Sequence, residues 1–251
     1  MKILFISLGC DKNLADSEEM LGLLTGNGHE IVDSEEEADA IVINTCCFIH
    51  DAKEESVNTI LEMAEYKKTG TCKILIVTGC MAQRYKEEIT KEIPEVDAVL
   101  GTTSYGDIVK ALNEAEAGHV FQEFKDINAL PEDSGRRVIT TGGHFGYLKI
   151  AEGCDKHCTY CIIPSLRGKF RSVPEERLLK QAEYMASQGV RELILVAQET
   201  TVYGTDLYGK KTMHILLKKL CQIKGIRWIR VLYCYPEEIY DELIQVMKEE
   251  K

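Results

Sequence analysis

The sequence predicts an α/β protein: an N-terminal open parallel sheet with helices on both faces, then a partial (β/α) barrel of about three βα units. Three observations point there. Short apolar runs alternate with longer segments of helical periodicity. The runs are apolar throughout, as in parallel strands buried on both faces, and not at every second residue. A mixed-charge stretch holding Gly118, Pro131, Gly135, Gly142 and Gly143 separates two such series. The division is therefore a first domain at 1–118, a connector at 119–143 and a second domain at 144–251, with short extended pieces such as Val120-Phe121 available to pack on a neighbour.

In the first domain, residues 2–8 read as a buried strand. The segment after it carries Asn13 as a plausible N-cap with acids in the first turn. Leu14, Leu21 and Leu24 supply the apolar stripe of that helix, and Gly26 and Gly28 stop it. A second strand at 40–44 leads to Thr45-Cys46-Cys47, and a helix follows at about 51–67, with Val57, Ile60, Leu61 and Ala64 on one face. A third strand at 74–78 leads to Gly79-Cys80. A weaker strand near 97–100 and a helix near 105–117 close the domain.

Cys10, Cys46 and Cys80 each fall just past the carboxyl end of a predicted strand. Ligands bind at that edge of an open parallel sheet, so three thiols far apart in sequence are expected to meet in one crevice. Neighbouring residues at a strand end point differently, so one of Cys46 and Cys47 faces the crevice; Cys46 is equivalent in position to Cys10 and Cys80. The bland alternative is three unrelated core cysteines.

In the second domain, residues 145–151 read as a strand that leads into Gly153-Cys154-Asp155-Lys156-His157-Cys158-Thr159-Tyr160-Cys161. Pro174 opens a helix of about fifteen residues, with Leu178, Leu179, Ala182, Met185 and Ala186 as its buried stripe. Strand 192–197, helix 211–222, strand 228–232 and helix 237–249 complete three βα units. Active sites of such barrels lie at the carboxyl ends of the strands, where both the Cys154 loop and Gln198-Glu199-Thr200 fall. Three units cannot close a barrel, so the chain, which stops at Lys251, is expected to be C-terminally truncated and to leave one sheet edge unpaired.

Three thiolates in one loop leave a metal centre short of the four that a closed zinc site or a fully ligated cubane takes. An open iron can hold a small molecule. The alternative is a zinc knot completed by His157 or a distant residue, in a non-catalytic zinc or iron–sulfur protein. Ten cysteines in a chain with no run of about 18 apolar residues suit a cytoplasmic protein using metal or redox chemistry, with no membrane span expected. Cys72, Cys221 and Cys234 are expected to serve packing alone. Residues 1–118 hold 10 Lys+Arg against 23 Asp+Glu, a net of −13, while the remainder holds 20 against 18, a net of +2. So acidic a first domain repels nucleic acid phosphates, and direct nucleic-acid binding by this segment is not expected.

The Cys154-Cys158-Cys161 spacing, with Tyr160 before the last cysteine, resembles the signature of radical S-adenosylmethionine enzymes. Together with Cys10, Cys46 and Cys80 it resembles the methylthiotransferases, over essentially the whole chain. Ser7-Leu8-Gly9-Cys10-Asp11-Lys12-Asn13-Leu14 with Asp16-Ser17-Glu18, and Val196-Ala197-Gln198-Glu199-Thr200-Thr201-Val202-Tyr203-Gly204 with Asp206-Leu207-Tyr208-Gly209, resemble the RimO-type branch rather than the transfer-RNA-modifying MiaB-like branch, which stays the alternative within the family.

The resemblance implies two 4Fe–4S clusters. Cys154, Cys158 and Cys161 would hold the radical-generating cluster and, through its open iron, S-adenosylmethionine, with Tyr160 and Gln198 as further cofactor contacts. Cys10, Cys46 and Cys80 would hold an auxiliary cluster carrying the sulfur to be transferred, in a chain where Cys47 replaces the family's usual glycine. It implies, further, a ribosomal protein substrate modified at an aspartate β-carbon and an electron donor as partner. An unactivated carbon–hydrogen bond is beyond side-chain acid–base work, so cofactors must carry that chemistry. Arg167, Lys169 and Arg171 are read as able to meet a carboxylate or as a solvated basic face.

Overall fold

Six parallel strands form the sheet of the N-terminal part: β1 (Lys2–Ser7), β2 (Glu30–Val32), β3 (Ala40–Thr45), β4 (Ile74–Gly79), β5 (Ala98–Leu100) and β6 (Phe121–Glu123), in the order β2-β1-β3-β4-β5-β6. The computed structural model describes residues 1–250; Lys251, where the sequence ends, lies outside the described residues. It divides into two units, Met1–Val138 with Ser165–Arg167, and Ile139–Pro164 with the residues from Gly168 onward.

Alternation along the strands covers both faces of the first sheet. Ile3, Ala40, Val42, Ile74, Ile76, Ala98 and Leu100 form one core with Met20 and Leu24 of α1 (Asp11–Gly26) and Ile108, Ala111 and Leu112 of α5 (Ile108–Glu116). On the other face α2 (His50–Thr69) packs on β3 and β4, with α3 (Cys80–Arg84) and α4 (Lys86–Glu92) following β4. The buried face of α2 is Ser56, Ile60, Met63 and Ala64, rotated from the stripe read in the sequence: Leu61 is exposed. Strand order reverses at β1, since β2 lies on one side of it and β3 on the other. Such a switch point opens a crevice at the carboxyl ends of the strands.

Two sequence expectations change here. The first unit runs to Val138, because Phe121–Glu123 pairs with β5 as an edge strand; the connector read at 119–143 is in large part a piece of the first unit. The N-cap of α1 is Cys10, and Asn13 lies inside the helix, fully buried. A one-face stripe underestimates α1, in which Lys12, Asn13, Asp16, Ser17, Glu18 and Glu19 are all buried. Buried charges need partners, and they come from far along the chain. Arg137 donates to Glu18 through Nε at 2.8 Å and a terminal nitrogen at 2.6 Å. Arg167 pairs with Asp16 at 2.8 Å, and the Tyr105 hydroxyl donates to Glu19 at 3.3 Å. Removing one partner of a buried pair strands the other charge, at about 3–5 kcal/mol. Arg137→Ala is therefore expected to destabilise the first unit by about that much, read as a lowered denaturant midpoint; an unchanged midpoint would show that Glu18 does not depend on it.

The second unit carries three parallel strands in the order β11-β10-β7, with β7 at Phe145–Lys149, β10 at Glu192–Val196 and β11 at Trp228–Val231. A short antiparallel pair joins β8 (Ala151–Glu152) to β9 (Arg171–Ser172). The helix α6 (Ile163–Arg167) precedes β9; α7 (Glu175–Ser187), α8 (Thr205–Tyr208), α9 (Met213–Cys221) and α10 (Asp241–Glu249) follow. Leu178, Ala182 and Met185 of α7 are buried. Among the described residues β11 pairs with β10 alone. Cys221 corrects another expectation: it is exposed at the end of α9, whereas Cys72 is buried and Cys234 half-buried. No helix among the described residues is long and apolar enough to cross a membrane.

Candidate metal centres

Three cysteines stand at the carboxyl ends of three adjacent strands. Cys10 caps α1 three residues past β1, Cys46 directly follows β3, and Cys80 directly follows β4. Their side chains feel one another electrostatically: Cys10 acts on both Cys46 and Cys80. Burial pushes the Cys46 thiol up, and the Cys80 thiol likewise; Cys10 raises both further, while the Arg167 guanidinium pulls both down. Cys46 and Cys80 are buried and Cys10 is exposed, so the trio has a closed back and an open front.

The backbone around the trio is held by hydrogen bonds whose donors and acceptors explain the surrounding residue types. The Cys46 N–H donates to Ser56 Oγ at 3.0 Å, and the same hydroxyl donates to the Cys46 carbonyl at 2.8 Å. Asn13 Nδ2 donates to the carbonyls of Leu8 at 3.1 Å and Thr45 at 2.9 Å, tying the exits of β1 and β3. Asn44 Nδ2 donates to the Asn13 carbonyl and to Ser17 Oγ, both at 2.9 Å. Thr45 Oγ1 donates to the Thr78 carbonyl at 2.6 Å, fixing β3 to β4. Gly9, at φ +94°, leaves the space beside the trio: a Cβ there would stand 2.8 Å from Cys46 Cβ and 3.1 Å from its sulfur.

Arg167 is buried, which sets aside the solvated basic face for this residue. Its guanidinium donates to Asp16 Oδ2 at 2.8 Å and to Asn13 Oδ1. Asn13 Oδ1 in turn lies 3.8 Å from Cys80 Sγ. Nothing in the local sequence marks Arg167 for this place, because its partners are some 150 positions away.

Cys47 has a partner of its own. It is buried, its thiol donates to the Cys80 carbonyl at 3.3 Å, and burial, with Cys80 next, pushes it up to about 12. A thiol committed to a backbone carbonyl is a poor metal ligand beside Cys46. Cys47→Gly is therefore expected to leave iron content after reconstitution unchanged, and Cys46→Ala to remove about half of it, four irons of eight, as a three-thiolate cubane requires. Equal losses in both would mean that the neighbours exchange roles.

The second trio lies in the loop after β8. The Cys154 N–H donates to the Gly168 carbonyl at 3.1 Å, the Phe170 N–H to Asp155 Oδ1 at 3.0 Å, and the Cys161 N–H to the Cys158 carbonyl at 2.9 Å. His157 takes a left-handed backbone, φ +47°. Burial pushes the Cys154 thiol up, and nearby Cys161, Glu199 and Cys158 add to that. Lys156 anchors the loop: its Nζ lies 2.9 Å from Glu238 and 3.4 Å from both Glu237 and Glu199, and 4.8 Å from the Tyr235 ring centre. The Lys156 hydrogen bond, with that of Lys211, holds Glu238 down at about 2. The Tyr235 hydroxyl is raised by burial first and then by Cys154 and Cys158. Sequence reading missed Lys156 and Tyr235; the charge run Glu237-Glu238 was the one available signal.

Gln198 has a buried Oε1 with no hydrogen-bond partner, an acceptor waiting for a donor. Tyr160 projects outward, 87% exposed. Among the described residues no three His, Cys, Asp or Glu side chains converge as on a single ion, the two cysteine trios included.

Comparison with known proteins matches residues 2–101 to the family described as uncharacterized protein family UPF0004, and residues 148–251 to the radical SAM superfamily. The chain is 66% identical over 250 residues to the ribosomal protein uS12 methylthiotransferase RimO of Lachnoclostridium phytofermentans, covering 100% of this chain and 57% of that protein. It is 52% identical to the RimO of Clostridioides difficile, covering 99% of this chain and 56% of that protein. The chain thus spans a little over half the length of these curated relatives. In fold it is similar to the radical S-adenosylmethionine methyltransferase TsrM of Kitasatospora setae, solved with cobalamin and a [4Fe-4S] cluster bound, with a TM-score of 0.62, 11% identity, and coverage of 98% of this chain and 56% of that one.

Proposed function

The chain belongs to the radical S-adenosylmethionine methylthiotransferase family, and we propose that it forms the cluster-bearing part of an enzyme that adds a methylthio group to the β-carbon of an aspartate in ribosomal protein uS12. One observation carries this: two separate trios of cysteines, one at three adjacent strand ends and one in a single tethered loop, each a ligand short of closure. When bound, two 4Fe–4S clusters and S-adenosylmethionine supply the one-electron chemistry that opens an unactivated carbon–hydrogen bond and the sulfur that replaces the hydrogen.

The residues present fit those groups. Soft thiolates select iron–sulfur clusters, and Gly9 keeps the wall beside Cys46 free of a side chain. Cys10, Cys46 and Cys80 would hold the auxiliary cluster, its accessible side set by the exposure of Cys10. Cys154, Cys158 and Cys161 would hold the other, with the loop fixed through Asp155 and Lys156. Gln198 Oε1 would accept a hydrogen bond from the cofactor; its missing partner supports that role. In each trio cluster binding takes thiolates, so the thiol protons are released to solvent as the ligands bind.

The test uses a version extended to the length of the relatives, incubated without oxygen with uS12, S-adenosylmethionine and a reductant. Mass spectrometry is expected to find one methylthio group on an aspartate of uS12. A gain on transfer RNA and none on uS12 would move the chain to the other branch of the family.

A further inference from the structure

We propose that Arg167 is a positioning residue for the auxiliary cluster: its guanidinium, held by Asp16 and by the Asn13 amide that touches Cys80, sets that cluster's reduction potential. The inference rests on the assignment of Cys10, Cys46 and Cys80 to a cluster and goes beyond it by naming what tunes that cluster.

The geometry has three parts. Arg167 belongs to the first unit although it follows Cys161 by only six residues. It is 3% exposed, so its charge acts through protein and not through water. Its planar fork is oriented by two acceptors, Asp16 Oδ2 at 2.8 Å and Asn13 Oδ1, and that same Asn13 oxygen lies 3.8 Å from Cys80 Sγ. Asp16 alone explains a buried arginine. It does not explain a fork shared with the amide that itself touches Cys80 Sγ.

Hydrogen bonds to the sulfurs and the local charge both help to set an iron–sulfur potential. When a cluster takes one electron its charge falls by one, and a fixed, buried cation near a ligand sulfur stabilises that reduced state. Arg167 therefore makes the auxiliary cluster easier to reduce. Lysine keeps the charge but not the fork, so it replaces arginine only in part.

The test is an EPR-monitored redox titration of the chain, reconstituted without oxygen, in a Cys154→Ala, Cys158→Ala, Cys161→Ala background that leaves the auxiliary cluster alone. Two variants are compared with that parent: Arg167→Lys, and Arg167→Gln combined with Asp16→Asn so that no buried carboxylate is left unpaired. The double variant is expected to hold the same iron and to be about tenfold harder to reduce, a midpoint lower by ~59 mV for one electron; Arg167→Lys falls between it and the parent. If one variant fails to retain iron, the other decides. Midpoints equal to the parent's, or iron lost from both variants, would make Arg167 a structural tie and overturn the proposal. A parent that binds no iron in this background would instead refute the cluster assignment.

Discussion

Cys158→Ala protein, reconstituted without oxygen, is expected to lose reductive cleavage of S-adenosylmethionine altogether while keeping about four irons, those of the other trio. Cys80→Ala is expected to do the reverse, sparing cleavage and abolishing sulfur transfer in the full-length enzyme. The physical reason is that the trios are built by different means. Cys10, Cys46 and Cys80 are placed by β1, β3 and β4 and by the bonds of Asn13, Ser56 and Thr45, none of which involves the Cys154 loop. That loop is placed by Gly168, Phe170 and Lys156. A cubane held by two thiolates has lost a third of its protein ligands and does not persist. Iron analysis and a cleavage assay on both variants check the separation; loss of all iron from both would refute the division into two sites.

Gly153→Ala is expected to empty the second site as thoroughly as loss of a ligand. Gly153 has φ +72°, where a side chain costs about 1–2 kcal/mol. Steric overlap costs more than this backbone strain. A Cβ would stand 2.1 Å from the Lys169 carbonyl oxygen and 2.5 Å from that of Gly168. Both are backbone atoms, so relief requires the strand entering β9 to move away, and the bond from Cys154 N–H to the Gly168 carbonyl goes with it. Iron content near that of the Cys158→Ala protein, with the first site intact, is the predicted result. Full iron in Gly153→Ala would show that the loop finds its geometry without this approach of chains.

Much of this was legible in the sequence because it is local. Continuous apolar runs marked β1, β3, β4, β7 and β10, and the cysteines after the first three could be placed at one edge from strand position alone. The remainder depends on partners remote in the chain. Asn13 looks like a helix cap by residue type, yet it bridges two strand exits. Periodicity assigns α1 one buried face, whereas ion pairs with Arg137 and Arg167 allow its acidic residues to be buried as well. The edge strands β2 and β6, three residues each, are too short to carry a pattern. The Asp16-Ser17-Glu18 stretch that marks the branch has a structural content: Asp16 holds Arg167, Ser17 holds Asn44, and Glu18 holds Arg137.

The proposed chemistry turns on two trios of thiolates, each holding a cubane. Iron, zinc and acid-labile sulfide counted on the anaerobically reconstituted chain test it most directly. About eight irons with matching sulfide, as two cubanes require, is the predicted result; zinc without sulfide, or about four irons surviving only while one trio is intact, would contradict it.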